Sequence, residues 1–239
     1  FRMNDDREVS CYALLVDHLG GKKVRDAALT NWLAQRDADD GCSLLAATLF
    51  DAKQLNTADV WRKARFAIDA GRPRAARQAA VLISVAAGSA VTELAENPAR
   101  YMARSASAVS RTNAELTLLA LMPLASPDPE AASTQLSERW DRALPNDLAA
   151  WAWSSVAKQS AMKLQPEAAD HYQRAALSAA KAGREIDWPE ETLAWKVRAA
   201  LRADNGRARW QQVMQAINAM GSAEQRDTAD YRGMSPVEH

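Results

Sequence analysis

The sequence has no apolar run long enough to cross a membrane. A spanning helix needs about 18 apolar residues, whereas the longest candidate, residues 116–124, has polar flanks. The sequence also has no net charge, because 30 Lys and Arg residues balance 30 Asp and Glu residues. Duplex binding depends on neutralising many phosphates with cations, so this balance argues against nucleic acid. We therefore expect neither a membrane span nor a nucleic-acid partner.

Groups that bind metals or catalyse reactions are scarce. Among the 3 histidines, His18 and His171 have no second His or Cys at the spacing of a metal site. Glu190 and Glu191 are adjacent, whereas a glycosidase needs carboxylates on opposite sides of the scissile bond; we interpret them as first-turn acids that stabilise a helix dipole. No Gly-rich phosphate loop follows a strand. We expect no catalytic residue, no metal and no cofactor in this chain.

The only thiols are those of Cys11 and Cys42. The residues alone leave two interpretations open: two buried thiols, as in a cytosolic protein, or one disulfide, as in an exported protein. A bridge would close a loop of about 30 residues, which the chain-entropy model values at roughly 3 to 4 kcal/mol of stability.

Strand signals are nearly absent, while helix signals are dense. Apolar residues recur every three or four positions, as at Trp61, Ala64 and Ile68, which places them on one helical face. Gly, Pro and Asn breaks predict about a dozen short helices, with Gly71, Gly183 and Gly206 as left-handed helix stops. We predict an all-α fold, a right-handed superhelix or solenoid of antiparallel helix pairs.

A weak internal repeat supports this arrangement. The tetrapeptide Pro-Glu-Ala-Ala occurs at residues 129–132 and again at 166–169, a spacing near that of two-helix repeats. Abundant alanine would let neighbouring helices approach closely, and large aromatic side chains would then fill the gaps between pairs. The tryptophans expected in these gaps are Trp32, Trp61, Trp140, Trp151, Trp153, Trp195 and Trp210.

One segment, called here the basic stretch, combines six cations with a single acid, Asp69. Its members are Arg62, Lys63, Arg65, Arg72, Arg74 and Arg77. A run of this kind is most often a solvated helix face. It also fits a contact surface for an anionic polymer, and both interpretations stay open from the residues.

Several blocks of sequence occur in an informative order. Cys11-Tyr12-Ala13 is followed by Asp-Asp-Gly-Cys-Ser-Leu-Leu at 39–45, by a basic helix ending in Ala-Gly at 61–71, and by a Lys-Val-Arg-Ala-Ala-Leu block within 195–202. Together they resemble the superhelical region of the soluble lytic murein transglycosylases, periplasmic enzymes that cut peptidoglycan glycan strands. The resemblance runs from about Cys11 to Tyr231 and departs near Arg232.

The resemblance implies a ring-like α-superhelix that frames a separate, lysozyme-like catalytic domain further along the full-length protein. In that family two early cysteines form a disulfide, which implies a bridge between Cys11 and Cys42. The family's catalytic signature is a Glu-Ser dipeptide, and no Glu in this chain precedes a Ser. We expect one superhelical domain at 1–231, a departing or tag-like tail at 232–239, and no catalytic domain in the chain.

Two functions follow. The first is a non-catalytic scaffold of a periplasmic lytic transglycosylase, an enzyme that the family implies to cleave the MurNAc–GlcNAc bond with formation of 1,6-anhydroMurNAc. Its partners would be glycan strands, contacted by the basic stretch, and the catalytic domain of the same parent chain. The alternative is a stand-alone helical-repeat adaptor that binds protein partners through its concave face.

Overall fold

The structure is a computed structural model that describes residues 6–35, 40–183, 187–203 and 207–220. All regular elements in these ranges are helical, and no strand occurs in them. The prediction of an all-α fold is therefore confirmed. The chain divides into two compact units, residues 1–123 and 124–239.

The first unit consists of short helices. They are α1 (Arg7–Leu19), α2 (Arg25–Ala34), α3 (Asp40–Asp51), α4 (Thr57–Asp69), α5 (Pro73–Ile83), α6 (Val85–Glu96), α7 (Pro98–Arg104) and α8 (Arg111–Leu124). Helix α5 packs against both α4 and α6, and α3 packs against both α1 and α2. Since only a few residues connect α4 to α5 and α5 to α6, these neighbours form antiparallel pairs.

The second unit is built around its longest helix. Its elements are α9 (Pro129–Gln135), a π-helical turn (Leu136–Trp140), α10 (Asp141–Ala143), α11 (Asn146–Met162), α12 (Ala168–Ala182), α13 (Glu190–Arg202) and α14 (Arg207–Ala219). Helix α11 packs extensively against α12 and also contacts α13, which pairs with α14. Helix α11 is therefore buried on most sides and forms the centre of this unit.

Helix ends follow the local sequence chemistry. The α4 start is a capping box, in which the Asn56 side chain accepts from the first-turn backbone while Asp59 accepts from the Asn56 N–H. Gly71 and Gly183 have φ of 69° and 62°, so they are the predicted left-handed stops. Gly206 lies outside the described residues. Both repeated tetrapeptides stand at helix starts, those of α9 and α12.

Small residues set the distance between paired helices. A methyl group added to Gly88 of α6 would collide with the Val81 side chain of α5. Ala76 and Ala80 of α5 are both fully buried. Close backbone approach therefore replaces bulky packing in this pair, as the alanine content predicts.

Tryptophan positions follow the prediction with two exceptions. Five of the expected gap-fillers are buried, namely Trp32, Trp61, Trp140, Trp151 and Trp153. Trp195 is only half-buried, and Trp210 is 49 % exposed. Trp188, which the sequence did not single out, is buried and stacks at an angle on Tyr172. Periodicity predicts helical faces, but only packing decides which face is covered.

Candidate functional site

A disulfide joins Cys11 of α1 to Cys42 of α3, with 4.9 Å between the two Cα atoms. Both cysteines are fully buried. The bridge implied by the family resemblance is therefore confirmed, and the alternative of two free thiols is not. Beside it, a Cβ on Gly41 would come within 2.8 Å of the Glu8 side chain. The disulfide and this close approach fix the start of α3 against α1.

Lys63 of the basic stretch is not a surface residue, which corrects the prediction of a glycan contact there. Its side chain is 2 % exposed, and its Nζ donates to the backbone oxygens of Trp32 and Gln35 at 2.5 Å and 2.9 Å. These oxygens belong to the end of α2, where carbonyls lack helical partners. Lys63 is therefore a buried cap of α2, because α4 turns this residue toward the core.

Arg65 is buried as well and pairs with a distant carboxylate, which is a second correction. Its guanidinium donates to both oxygens of Glu115, at 2.9 Å and 2.7 Å. Arg111 donates to the same carboxylate at 2.7 Å. Since Glu115 is fully buried, the two cations compensate its charge inside the first unit. Arg65 thus holds α4 to α8 and is not available to a ligand.

Three members of the basic stretch surround the start of α5, and we call Arg72, Arg74 and Arg77 the α5 arginine cluster. Arg74 and Arg77 are exposed and Arg72 is half-buried. No described side chain caps this helix, and its first turn contains no acid. The remaining member, Arg62, is half-buried and lies over the Phe66 ring at 5.3 Å. The stretch therefore separates into two buried structural cations, the half-buried Arg62, and a cluster in which Arg74 and Arg77 are exposed.

The second unit contains two ionisable groups near aromatic rings, the half-buried His171 and the fully buried Lys196. The His171 Nδ1 lies 3.2 Å from Ser160 Oγ, and its ring stacks on Trp153. Burial, followed by the nearby Arg174 charge, lowers the pKa of His171. Ser160 is fully buried, so this Ser–His pair cannot receive a substrate.

Lys196 is the second of these groups. It is fully buried and donates to Gln215 at 2.5 Å while its Nζ lies 5.6 Å from the centre of the Trp188 ring. Desolvation lowers the pKa of Lys196 to about 8. The amine has no opening to solvent, so it acts in α13–α14 packing.

A groove of about 380 Å³ opens in the second unit between the end of α11, the start of α12 and α13. Its α13 wall carries Trp195, Arg198 and Arg202, which share one helical face. The Arg198 guanidinium lies 4.8 Å from the centre of the Trp195 ring. The sequence contained the spacing of these three residues, but the prediction assigned Trp195 to the core and so missed the groove.

The described residues contain no group of His, Cys, Asp or Glu that would hold a metal ion. Among the helices that the structure describes, none is long and apolar enough to cross a membrane.

The fold resembles that of lytic transglycosylase Slt. The X-ray structure of an inactive mutant of Slt from Pseudomonas aeruginosa is similar to this chain with a TM-score of 0.55 and 19 % sequence identity. The similarity covers 98 % of this chain and 38 % of the Slt chain. No family model matches the sequence, and no curated protein matches it either. The similarity to Slt is therefore a similarity of all-α fold.

Proposed function

We propose that this chain is a non-catalytic helical scaffold that binds peptidoglycan glycan strands in the periplasm. It would position those strands and support a lytic transglycosylase catalytic domain of the same parent protein. The observation that carries the proposal is the exposed α5 arginine cluster, in a fold similar to that of Slt. Carboxylates along a peptidoglycan polymer are suitable partners for such a cluster.

The α5 arginine cluster is costly for the helix that carries it. A helix N-terminus bears partial positive charge, so cations there are unfavourable and acids are favourable. Helix α9 follows this rule, since Asp128 caps it and Glu130 lies in its first turn. Helix α5 does the opposite, with Arg72 at the cap position and Arg74 in the first turn. A bound anion would reverse this cost, which supports a ligand role for the cluster.

The disulfide supports a location outside the cytoplasm. Disulfides persist in oxidising compartments and are rare in the reducing cytosol. The bridge between Cys11 and Cys42 closes a sequence separation of 31 residues. It fits the periplasmic location that we propose.

The catalytic part of the proposal concerns the parent protein. This chain spans 38 % of the length of Slt. We expect the complete reading frame to encode a Glu-Ser segment outside this chain, because that dipeptide supplies the general acid in the family that the sequence resembles. Sequencing the complete reading frame is the test. A frame without such a segment would contradict this part and favour the stand-alone adaptor.

Glycan binding is tested by co-sedimentation of the 239-residue chain with purified sacculi. We expect the fraction bound to fall as salt rises from about 0.05 M to about 0.5 M, because screening weakens exposed charge pairs. The triple variant Arg72→Gln, Arg74→Gln, Arg77→Gln should bind several-fold less. The matched control removes three other exposed cations through Arg100→Gln, Arg104→Gln and Arg139→Gln.

Equal loss of binding in both triple variants would show that sacculus binding depends on net charge rather than on the α5 arginine cluster. Unchanged binding in the cluster variant would reject the cluster as the contact. Release of soluble anhydro-muropeptides by this chain alone would contradict a non-catalytic role.

A further inference from the structure

We propose that the groove beside Trp195 is a binding site for a small ligand that carries a carboxylate next to an apolar face. The groove belongs to the second unit and contains no member of the α5 arginine cluster. It therefore goes beyond the proposed function and can be tested independently of it.

The charges of the groove select a carboxylate. Arg202 and Arg198 lie about one turn apart on the same face of α13, and both side chains are exposed. Arg198 is positioned over the Trp195 ring, whereas Arg202 has no hydrogen-bond or ion-pair partner in the part of the chain that the structure describes. A guanidinium binds a carboxylate through two parallel hydrogen bonds. The pair thus offers an oriented anchor for one carboxylate.

Asp170 lines the groove on the α12 side. A carboxylate there accepts hydrogen bonds from amide or hydroxyl groups of a ligand, and it repels a ligand with many negative charges. The groove therefore favours a monoanion with hydrogen-bond donors over a polyphosphate.

Part of the groove lining is apolar. The lining includes the small side chains of Ala169 and Ala199, the ring of Pro166 and part of the Trp195 indole. Small side chains leave room for methyl-sized groups, and an indole provides a broad contact surface. An apolar ligand face would be desolvated here while its carboxylate reaches Arg202.

Leu164, which lines the groove, has a backbone conformation that disfavours its own side chain. Its φ is +61°, in the left-handed region. Its N–H donates to Ala161, and the following N–H of Gln165 donates to Ser160. Gly71 stands in the equivalent place after α4, where the N–H groups of residues 71 and 72 make the same pair of bonds. Glycine is the usual residue for this position because it has no Cβ.

The leucine is also exposed. It lines the groove and is 59 % exposed. Lys53 has a similar φ of 56° after α3, but its side chain is polar and suits an exposed turn. At Leu164 both backbone strain and apolar exposure oppose stability. Contact with the apolar face of a ligand explains why a leucine stands there.

The shared chemistry, a carboxylate beside methyl groups, has two sources that experiment can separate. One is a carboxylated N-acyl amino sugar, for which N-acetylmuramic acid is the probe. The other is a peptide C-terminus, for which dialanine is the probe. N-acetylglucosamine retains the sugar ring and the acetyl group but lacks the carboxylate, so it is the negative control.

The test is titration of the 239-residue chain with each probe while the Trp195 indole N–H is followed by NMR. The signal is assigned by its absence in Trp195→Phe. We expect it to shift with N-acetylmuramic acid, with dialanine, or with both, and not with N-acetylglucosamine. Arg202→Gln should weaken binding about tenfold, because a charge-assisted pair is lost. Arg174→Gln is the matched control, since Arg174 lies 4.9 Å from the Trp153 ring outside the groove.

A second variant separates binding from folding. Leu164→Gly relieves the left-handed strain, so its melting temperature should equal or exceed that of the wild type while its affinity for the probe falls. No shift with either carboxylate, an equal shift with N-acetylglucosamine, or unchanged affinity in Arg202→Gln would overturn the proposal. Sacculus binding through the α5 arginine cluster would survive that result, so the two proposals fail separately.

Discussion

The Glu115 carboxylate lies 2.7 Å from the Arg65 guanidinium, although 50 residues separate the two in sequence. Arg111, one turn before Glu115 on α8, is exposed to solvent and donates to the same buried carboxylate. This relationship explains why Arg65 of the basic stretch is absent from the surface. It also makes Glu115 one of the most sensitive positions of the first unit.

We expect Glu115→Ala to lower the free energy of unfolding by about 3 to 5 kcal/mol, because it leaves the buried Arg65 charge without compensation. Urea denaturation followed by circular dichroism measures this loss. Arg65→Met combined with Glu115→Leu should recover part of it, because an apolar pair carries no desolvation cost. A double variant no more stable than Glu115→Ala would argue against the ion-pair explanation.

Removing the disulfide should destabilise the first unit. With a sequence separation of 31 residues between Cys11 and Cys42, the chain-entropy model gives a loss of about 3.5 kcal/mol. The measurement compares urea midpoints of the wild type with and without reductant. The variant Cys11→Ala, Cys42→Ala should match the reduced wild type and should not respond to reductant. Titration of the unreduced, denatured wild type should detect no thiol.

His171 should make stability fall in mild acid. Its pKa in the fold is below the ordinary value of 6.5, chiefly because of burial and secondarily because of Arg174, while Glu167 and Asp170 act in the opposite direction. As pH falls below about 6.5, the unfolded chain takes up the proton first, so the free energy of unfolding declines. His171→Gln should remove this component. If the free energy of unfolding of the variant and of the wild type changed in parallel between pH 7.5 and pH 5, the assignment to His171 would be contradicted.

Lys196 should make the free energy of unfolding depend on pH in the alkaline range. Its pKa is about 8 in the fold against 10.5 in the unfolded chain, so the unfolded chain binds more protons between these values and stability rises with pH there. Lys196→Met should stabilise the protein at pH 7 by about 1 to 3 kcal/mol. The gain should shrink by pH 9.5. Burial raises the pKa of Tyr101, so this tyrosine would add its own pH dependence in more alkaline solution. The measurement therefore stays below pH 10.

The cap position of α5 should show a conflict between stability and binding. Arg72→Asp supplies the missing cap and a favourable first charge, so it should be more stable than Arg72→Ala by about 1 kcal/mol. The same variant should bind sacculi less than either Arg72→Ala or the wild type. Thermal melting and co-sedimentation of the three proteins provide the comparison. Stronger sacculus binding by Arg72→Asp would contradict the role of the cluster.

The sequence predicted local features correctly where short-range chemistry decides them. Gly71 and Gly183 are left-handed stops, as predicted. Prediction was wrong where a residue's partner lies far along the chain. Lys63 and Arg65 are buried because carbonyls of α2 and the Glu115 carboxylate meet them there.

The sequence by itself therefore determined an all-α chain of short, paired helices, because periodicity, caps and breaks act within a few residues. Only the tertiary structure decided that Arg74 and Arg77 stay exposed on α5, and that Trp195, Arg198 and Arg202 line a groove instead of a core. Burial depends on which helices pack together. That choice is made by contacts between distant residues, which no local pattern encodes.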